Sequence, residues 1–315
     1  MYYIGVDLGG TNIAVGLVDE KLNIVRKGSV PTNAKRPMDE IMKDMADLCK
    51  KLIADEGICV SDVKYAGIAS PGTCDSKNGV VVYANNLSMK DYPIAAKLSE
   101  YSGIANVYID NDANAAAYAE TICGAAKGAK NAIVITLGTG LGGGIIIDGK
   151  IYAGSNFAGG ELGHTVIERN GAQCSCGRKG CWEAYSSATA LIRMTREAMD
   201  KNPDSYMHEI AKKAGKVSGR TAFDGARAGD KTAKAVVDEF ISYLALGVGN
   251  MINIFQPEIF CIGGGICNEG EYLLAPLREK LVAETYGNKV SCDVVKCALG
   301  NDAGILGAAV LGITL

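Results

Sequence analysis

The sequence has no excess of basic residues, which narrows the classes of ligand it can bind. Lysine and arginine number 32 against 35 acidic residues, the net charge is −3 and the pI is about 5.6. No basic stripe is available for a polynucleotide, so phosphate groups must be held by backbone amides, helix ends and a cation. A hydrophobic content of 48% excludes a disordered chain. The composition therefore favours a nucleotide over a nucleic acid as partner.

A long uninterrupted apolar segment is also missing. The longest apolar run, residues 132–147, contains five glycines and is typical of a strand, a turn and a second strand. No secretory signal precedes the first strand-like run at residues 2–6, and the eleven cysteines are an odd number. These features predict a cytoplasmic protein with reduced cysteines and no membrane partner.

Two common phosphate-binding motifs are absent from the glycine-rich start of the chain. A dinucleotide fold has a helix after its glycines, and a Walker loop ends in Gly-Lys-Ser/Thr. Here residues 4–11, IGVDLGGT, form a strand that enters a glycine turn, and residues 13–18 continue as a second strand. Backbone amides at such a turn can face phosphates. An ordinary hairpin with glycines for geometry is the alternative.

The same pattern returns in the middle of the chain. Residues 133–137 enter GTGLGGG at 138–144, and residues 145–147 leave it as a strand. Two such turns facing each other would hold one nucleotide from two domains. We therefore expect the active site in a cleft between the two halves of the chain.

Histidine is scarce, and one of the two histidines lies in a chemically dense stretch, residues 157–183. His164 is followed by Cys174, Cys176 and Cys181, and these imidazole and thiolate donors suit a closed tetrahedral zinc site. Reduced cysteines in a glycine-rich loop are the alternative. Glu161 lies three residues before His164, so the two side chains share a face if this run is helical.

A carboxylate also stands at the start of an alanine-rich helix predicted over residues 113–123. Asp112 precedes this helix directly and follows a strand predicted over residues 106–109. Asp is a common N-cap residue, so capping alone would explain it. A role in catalysis is the competing interpretation, which the isolated sequence pattern does not decide.

These motifs together resemble the sugar-kinase branch of the ROK family. The resemblance is carried by GELGH at 160–164, by C-x-C-G-x-x-G-C-x-E from 174 to 183, by N-D-A-N at 111–114 and by the first glycine turn. It extends from Asp7 to the final helix, predicted over residues 302–313. The motifs are specific in residue type, spacing and order.

The resemblance implies an α/β fold of two RNase H-like domains of the actin, hexokinase and Hsp70 superfamily, with an interdomain cleft. The first domain comprises residues 1–123 plus 302–315, and the second, larger domain comprises residues 124–301 with the zinc-binding loop. The implied activity is transfer of the γ-phosphoryl of ATP to the 6-hydroxyl of a hexose, glucose first, in carbohydrate metabolism and glycolysis. The implied cofactors are Mg²⁺, organised by Asp7 through water, and structural Zn²⁺; a homodimer or larger homo-oligomer is expected.

The family's site residues carry over to matching positions in this chain. Asp112 corresponds to the base that takes the hydroxyl proton. The expected sugar-binding residues are Gly72, Asn86, Asn111, Asp112, Glu161, His164 and Glu183. The expected nucleotide-binding residues are Asp7, Gly9, Gly10, Thr11, Asn12, Thr139, Gly140, Gly142, Gly143 and Gly264. The expected zinc ligands are His164, Cys174, Cys176 and Cys181.

Three alternatives remain open at the level of sequence. An N-acylhexosamine kinase or a fructokinase of the same family would share every motif. A ROK repressor would need an added N-terminal helix-turn-helix, and the phosphate turn begins at Ile4, which speaks against that module. A non-catalytic sugar binder would not need Asp112.

Overall fold

The computed structural model describes residues 1–313, which form thirteen strands and ten α-helices. The strands are β1 (Tyr2–Leu8), β2 (Asn12–Asp19), β3 (Ile24–Pro31), β4 (Val63–Ser70), β5 (Thr73–Asp75), β6 (Val80–Ala84), β7 (Met89–Tyr92), β8 (Val107–Asn111), β9 (Ala132–Leu137), β10 (Leu141–Ile147), β11 (Lys150–Ile151), β12 (Ile259–Gly263) and β13 (Asp293–Lys296). The helices are α1 (Met38–Asp55), α2 (Ile94–Ser102), α3 (Asp112–Cys123), α4 (Glu183–Ser186), α5 (Ala188–Lys201), α6 (Met207–Ala214), α7 (Thr221–Arg227), α8 (Lys231–Phe255), α9 (Glu271–Glu284) and α10 (Ala303–Val310).

The two large sheets have the same strand order. The first runs β3-β2-β1-β4-β8 and the second runs β11-β10-β9-β12-β13, while β5, β6 and β7 form a small third sheet. In the first sheet, β1 is antiparallel to β2 and parallel to β4, and β4 is parallel to β8. In the second, β12 is parallel to both β9 and β13. The repeat predicted from the two glycine turns is therefore a repeat of the sheet topology.

Alternation along β1 explains how its two faces are packed. Ile4, Val6 and Leu8 are buried in the same hydrophobic cluster as helix α1. The intervening Gly5 lies against α10, because a Cβ built there would overlap a carbonyl oxygen of that helix. Successive strand residues point to opposite faces, so Asp7, two residues after Gly5, lies on the α10 side. The sequence pattern of one strand thus determines the face on which this acidic residue lies.

Helix α8 is the central helix of the second half of the chain and packs against α5, α7 and α9. Among the described residues it is long and apolar enough to span a membrane by length and composition, but 61% of its most apolar window is buried inside the protein. Buried core helices pass the same test, so the observation is weak evidence for a membrane span.

Clustering of contacts divides the chain into two compact units. The first contains Met1–Lys130, Gly144–Gly160 and the chain from Ala298 onward, and the second contains Asn131–Gly143 and Glu161–Cys297. The first unit is therefore discontinuous. The domain boundaries expected from the family, at 123/124 and 301/302, stay a prediction, and the last two residues of that expected first domain, 314 and 315, lie outside the described residues.

Candidate active site

The first glycine turn joins β1 to β2 and is held by the end of β3. The Gly9 N–H donates to the Asn12 carbonyl at 3.0 Å, which closes the turn. Thr32 holds it from the side, because its Oγ1 donates to the Gly9 carbonyl at 2.6 Å and its N–H donates to the Thr11 carbonyl at 2.8 Å. Sequence reasoning missed Thr32, whose position directly after a strand carries no motif. Gly10 is exposed at the tip of the turn.

Helix α3 begins beside this turn, and its capping residue differs from the sequence expectation. Asn111 is the N-cap: its Oδ1 accepts from the N–H groups of Ala113 and Asn114 at 2.9 and 3.3 Å. Its Nδ2 donates to the carbonyl of Gly72 at 3.0 Å. The interpretation of Asp112 as the cap is therefore wrong. Asp112 is the first helical residue and is exposed.

Asp7 and Asp112 interact electrostatically in this region. Burial raises the pKa of the Asp7 carboxyl, and the negative charge of Asp112 raises it further. Asp7 also lies against Gly304 near the start of α10, where a Cβ would overlap its carboxylate. A carboxyl group whose ionisation is disfavoured by burial and by a neighbouring carboxylate is suited to bind a cation or a proton. Gly304 was not identified from the sequence.

A buried polar pair supports the start of α3. Asp110 is 6% exposed, and its Oδ1 accepts from the Asn111 N–H at 2.7 Å and from Nδ2 of Asn114 at 2.9 Å. Burial raises the pKa of the Asp110 carboxyl, while these hydrogen bonds act in the opposite direction. Because both donors flank Asp112, the pair fixes the helical turn that carries it. Sequence analysis did not single out Asp110.

The second glycine turn is shorter than predicted. Strand β10 begins at Leu141, so Gly142 and Gly143 lie in the strand and only residues 138–140 form the turn. Gly144 also lies in β10, where a Cβ would overlap Ala117 and the Ala113 carbonyl of α3. That glycine is explained by close packing on a helix.

Residues near the start of α5 hold the turn itself. The Ala188 N–H donates to the Gly138 carbonyl at 2.8 Å, and Thr189 Oγ1 donates to the Thr139 carbonyl at 2.7 Å. Gly264, which follows β12 with φ +89°, packs against the backbone of Leu137, just before the turn. None of these contacts is visible as a sequence motif, because each joins distant positions.

Glu183 connects this turn to the cysteine-rich loop. Its Oε2 accepts from the Leu141 N–H at 2.9 Å, and its Oε1 accepts from Ser175 Oγ at 3.2 Å. A Cβ built at Gly140 would overlap Oε2 of Glu183. The single tryptophan, Trp182, is fully buried directly before it. Glu183 is therefore anchored between two motifs that sequence analysis treated separately.

The four expected zinc ligands are brought together. One ligand atom from each of His164, Cys174, Cys176 and Cys181 lies within 4.8 Å of the others. His164 Nδ1 is 3.7 Å from Cys174 Sγ, and the sulfurs of Cys176 and Cys181 are 3.6 Å apart. A backbone hydrogen bond from Arg178 lowers the pKa of the Cys176 thiol, whereas burial raises that of Cys181 to about 12. Three thiols and one imidazole nitrogen at this spacing fit a tetrahedral metal.

The other imidazole nitrogen of His164 faces Glu161. Nε2 lies 4.0 Å from Glu161 Oε2, across the single 3₁₀ turn Leu162–His164. Glu161 is 65% exposed and Glu183 is half-buried. Glu161 stands outside the first turn of this short helix and is therefore largely exposed to solvent.

The expected residues thus form two groups, one in each compact unit. In the first unit, Asn111 bonds Gly72, Asp7 interacts with Asp112, and a Cβ at Gly10 would be 3.9 Å from Cβ of Asn86. In the second unit, the group comprises Thr139, Gly140, Glu161, His164, Glu183 and the three cysteines.

Comparison with protein families and known relatives gives a full-length match. The model of the ROK family matches residues 3–314. A glucokinase from Thermotoga maritima is 40% identical over 308 residues, which cover 97% of this chain and 95% of the relative. A glucokinase from Halalkalibacterium halodurans is 37% identical over 308 residues, covering 97% and 93%.

Solved structures agree with these relatives. The ROK family glucokinase from Streptomyces griseus, in complex with glucose and AMPPNP, is 34% identical, has a TM-score of 0.82 and is matched over 99% of both chains. The fold of two domains in the actin, hexokinase and Hsp70 superfamily is thereby confirmed.

Proposed function

We propose, from the premise that this chain belongs to the ROK family, that it transfers the γ-phosphoryl group of ATP to the 6-hydroxyl of glucose. The observation that carries this proposal is the exposed Asp112 on the first turn of α3, in a helix already capped by Asn111. Asp112 also lies close enough to the buried Asp7 for its charge to raise the pKa of the Asp7 carboxyl. Because Asp112 is exposed at the start of the helix, a substrate can reach its carboxylate. The full-length similarity to glucokinases supports the choice of glucose.

The proposed reaction needs positioning and charge neutralisation more than covalent chemistry. Asp112 accepts the proton of the 6-hydroxyl while the sugar oxygen attacks the γ-phosphorus and the bond from that phosphorus to the bridging oxygen of ADP breaks. Asp110 and Asn114 hold the helical turn that carries Asp112. The proposed base thus stands on a rigid, hydrogen-bonded support.

Asp7 is proposed to organise Mg²⁺ through water. The raised pKa of its carboxyl, caused by burial and by Asp112, supports a cation between the two acids. Magnesium bound with ATP supplies neutralisation of phosphate charge. The backbone of Gly9, Gly10 and Thr11 and that of residues 139–143 are proposed to contact the phosphates.

Zinc is proposed as a structural ion held by His164 and the three cysteines. The closed set of four donors leaves no position for a reactant, so the ion supplies stability to the loop. His164 would bind it through Nδ1, which lies towards Cys174, and leave Nε2 for a sugar hydroxyl. We propose that Glu161, Asn86 and Glu183 form hydrogen bonds with further hydroxyl groups of the sugar.

An assay of ADP release with glucose, mannose, N-acetylmannosamine, N-acetylglucosamine and fructose tests the proposal. We expect the highest kcat/KM with glucose. A higher kcat/KM for an N-acylhexosamine or for fructose would make that sugar the proposed substrate in place of glucose. Absence of turnover with all five sugars would overturn the kinase assignment. Light scattering of the same preparation tests the proposal that the protein forms a homodimer or a larger homo-oligomer. A cytoplasmic role in glycolysis is proposed together with the activity.

A further inference from the structure

We infer that Glu183 is a positioning residue for the second glycine turn, so that binding of sugar and binding of nucleotide strengthen each other through this side chain. The inference rests on the proposed function, which assigns the sugar to Glu183 and the phosphates to the turn. It adds a physical connection between two sites that the motifs by themselves keep separate.

The connection consists of both oxygens of one carboxylate. Oε2 accepts from the Leu141 N–H at 2.9 Å, where the turn ends and β10 begins, and Oε1 accepts from Ser175 Oγ at 3.2 Å. Ser175 lies between two of the proposed zinc ligands, Cys174 and Cys176. An ionised carboxylate has about four acceptor positions, so it can receive a sugar hydroxyl without losing Leu141.

The rest of the turn is held by the segment that follows Glu183. Residues 183–189 contain α4 and the start of α5, and from this segment Ala188 and Thr189 hold the carbonyls of Gly138 and Thr139. Gly163, one residue before His164, packs against the Leu141 carbonyl, where a Cβ would overlap it. Both sugar-binding motifs thus contact the end of the proposed phosphate turn.

This arrangement produces coupling by pre-organisation. A sugar hydroxyl bound to Glu183 restricts the side chain to the conformation that also holds Leu141. The nucleotide then binds a turn that is already ordered, so less conformational entropy is lost on binding. By thermodynamic linkage, the nucleotide must increase sugar affinity by the same factor. Gly140 is required because any side chain there would push Oε2 away from the turn.

The test is calorimetric titration of the whole protein with AMPPNP in the presence and absence of saturating glucose, and the reverse titration. In the wild type we expect glucose to tighten AMPPNP binding by at least about fivefold, with an equal factor in reverse. Ser175→Ala removes the hydrogen bond that Ser175 Oγ donates to Oε1 of Glu183. Gly140→Ala pushes Oε2 of Glu183 away from the turn without removing the carboxylate from the chain. In both variants we expect the coupling factor to fall below about twofold.

Thr189→Ala is the matched control, because it removes a hydrogen bond from the same turn without touching Glu183. It should weaken AMPPNP binding and retain the coupling factor. Ser175 is exposed, so its variant keeps the test interpretable if Gly140→Ala folds poorly. Equal coupling in wild type and Ser175→Ala, or no coupling in a wild type that phosphorylates glucose, would overturn the inference alone. Failure to phosphorylate glucose would instead overturn the proposed function.

Discussion

The two glycine turns have similar sequences, but the residues that hold them by hydrogen bonds come from different parts of the chain. The first, at Gly9 and Gly10, is held by Thr32 from the neighbouring end of β3. The second, at residues 138–140, is held by residues 183–189, more than forty positions later in the chain. A similar sheet topology surrounds both turns. The second turn is therefore connected by hydrogen bonds to the end of the cysteine-rich motif, at Glu183.

The carboxylates near the two turns differ in the same way. In the first unit, burial raises the pKa of the Asp7 carboxyl, and the negative charge of Asp112 raises it further. Glu183 in the second unit is held by three hydrogen-bond donors: the Leu141 N–H, the Ser175 hydroxyl and the Cys174 thiol. Two neighbouring carboxylates suit cation binding and proton transfer, whereas a carboxylate held by several hydrogen-bond donors suits positioning. We therefore expect substitutions of Asp7 and Asp112 to affect the reaction and substitutions around Glu183 to affect how the second turn is ordered.

The largest expected effect comes from the first region. Asp112→Asn should lower kcat by at least about a hundredfold, because the amide cannot accept the hydroxyl proton. The helix keeps its cap on Asn111, so the thermal unfolding midpoint should equal or slightly exceed that of the wild type. Activity assays and calorimetry measure both. Normal turnover would remove Asp112 as the base.

The next effect concerns the cysteine-rich loop of the second region. Elemental analysis should find about one zinc per chain in chelator-washed protein. Cys176→Ser should lose the metal and lower the unfolding midpoint by roughly 5–10 °C, since ligand loss removes the crosslink of the loop. Cys59→Ser, at an exposed cysteine outside the cluster, is the control. Metal-free wild-type protein with full activity and stability would contradict this prediction.

The raised pKa of the Asp7 carboxyl predicts that one substitution, Asp7→Asn, increases stability and decreases activity. A raised pKa means that the protonated Asp7 favours the fold: this contribution is present below the unfolded value near 3.8 and is lost as pH rises through the folded pKa. Asp7→Asn should therefore raise the unfolding midpoint at pH 7, and the gain should shrink as pH falls. Its kinase activity should drop by about tenfold or more. A lower midpoint at pH 7 would show that another interaction of Asp7 dominates.

The smallest expected effect is a difference between alanine substitutions in the first and in the second glycine turn. At Gly9 a Cβ would lie 2.9 Å from the Asn12 carbonyl, whereas at Gly138 no atom of the described residues lies within 4 Å. Gly9→Ala should lower the unfolding free energy by roughly 1–3 kcal/mol. Gly138→Ala should leave it unchanged and raise the KM for ATP several-fold. Equal stability losses would contradict the difference in packing.

Much of the local structure follows from the sequence. The first strand, the strand, turn and strand at both glycine turns, and helix α3, predicted over residues 113–123, match the predicted pattern because period and turn chemistry act over a few residues. The clustering of the histidine and three cysteines was also predicted, since these four residues lie close in sequence. Such features need only neighbouring residues to specify them.

The sequence by itself determined the family, the two repeated turns and the residues with suitable chemistry. Tertiary structure decided which partners those residues have: Asn111, not Asp112, caps α3, Glu161 remains exposed, and Glu183 holds the turn at Leu141. These outcomes depend on hydrogen bonds and burial, which arise only when distant segments pack together. A pattern of residues specifies donors and acceptors, but only the fold specifies which of them meet.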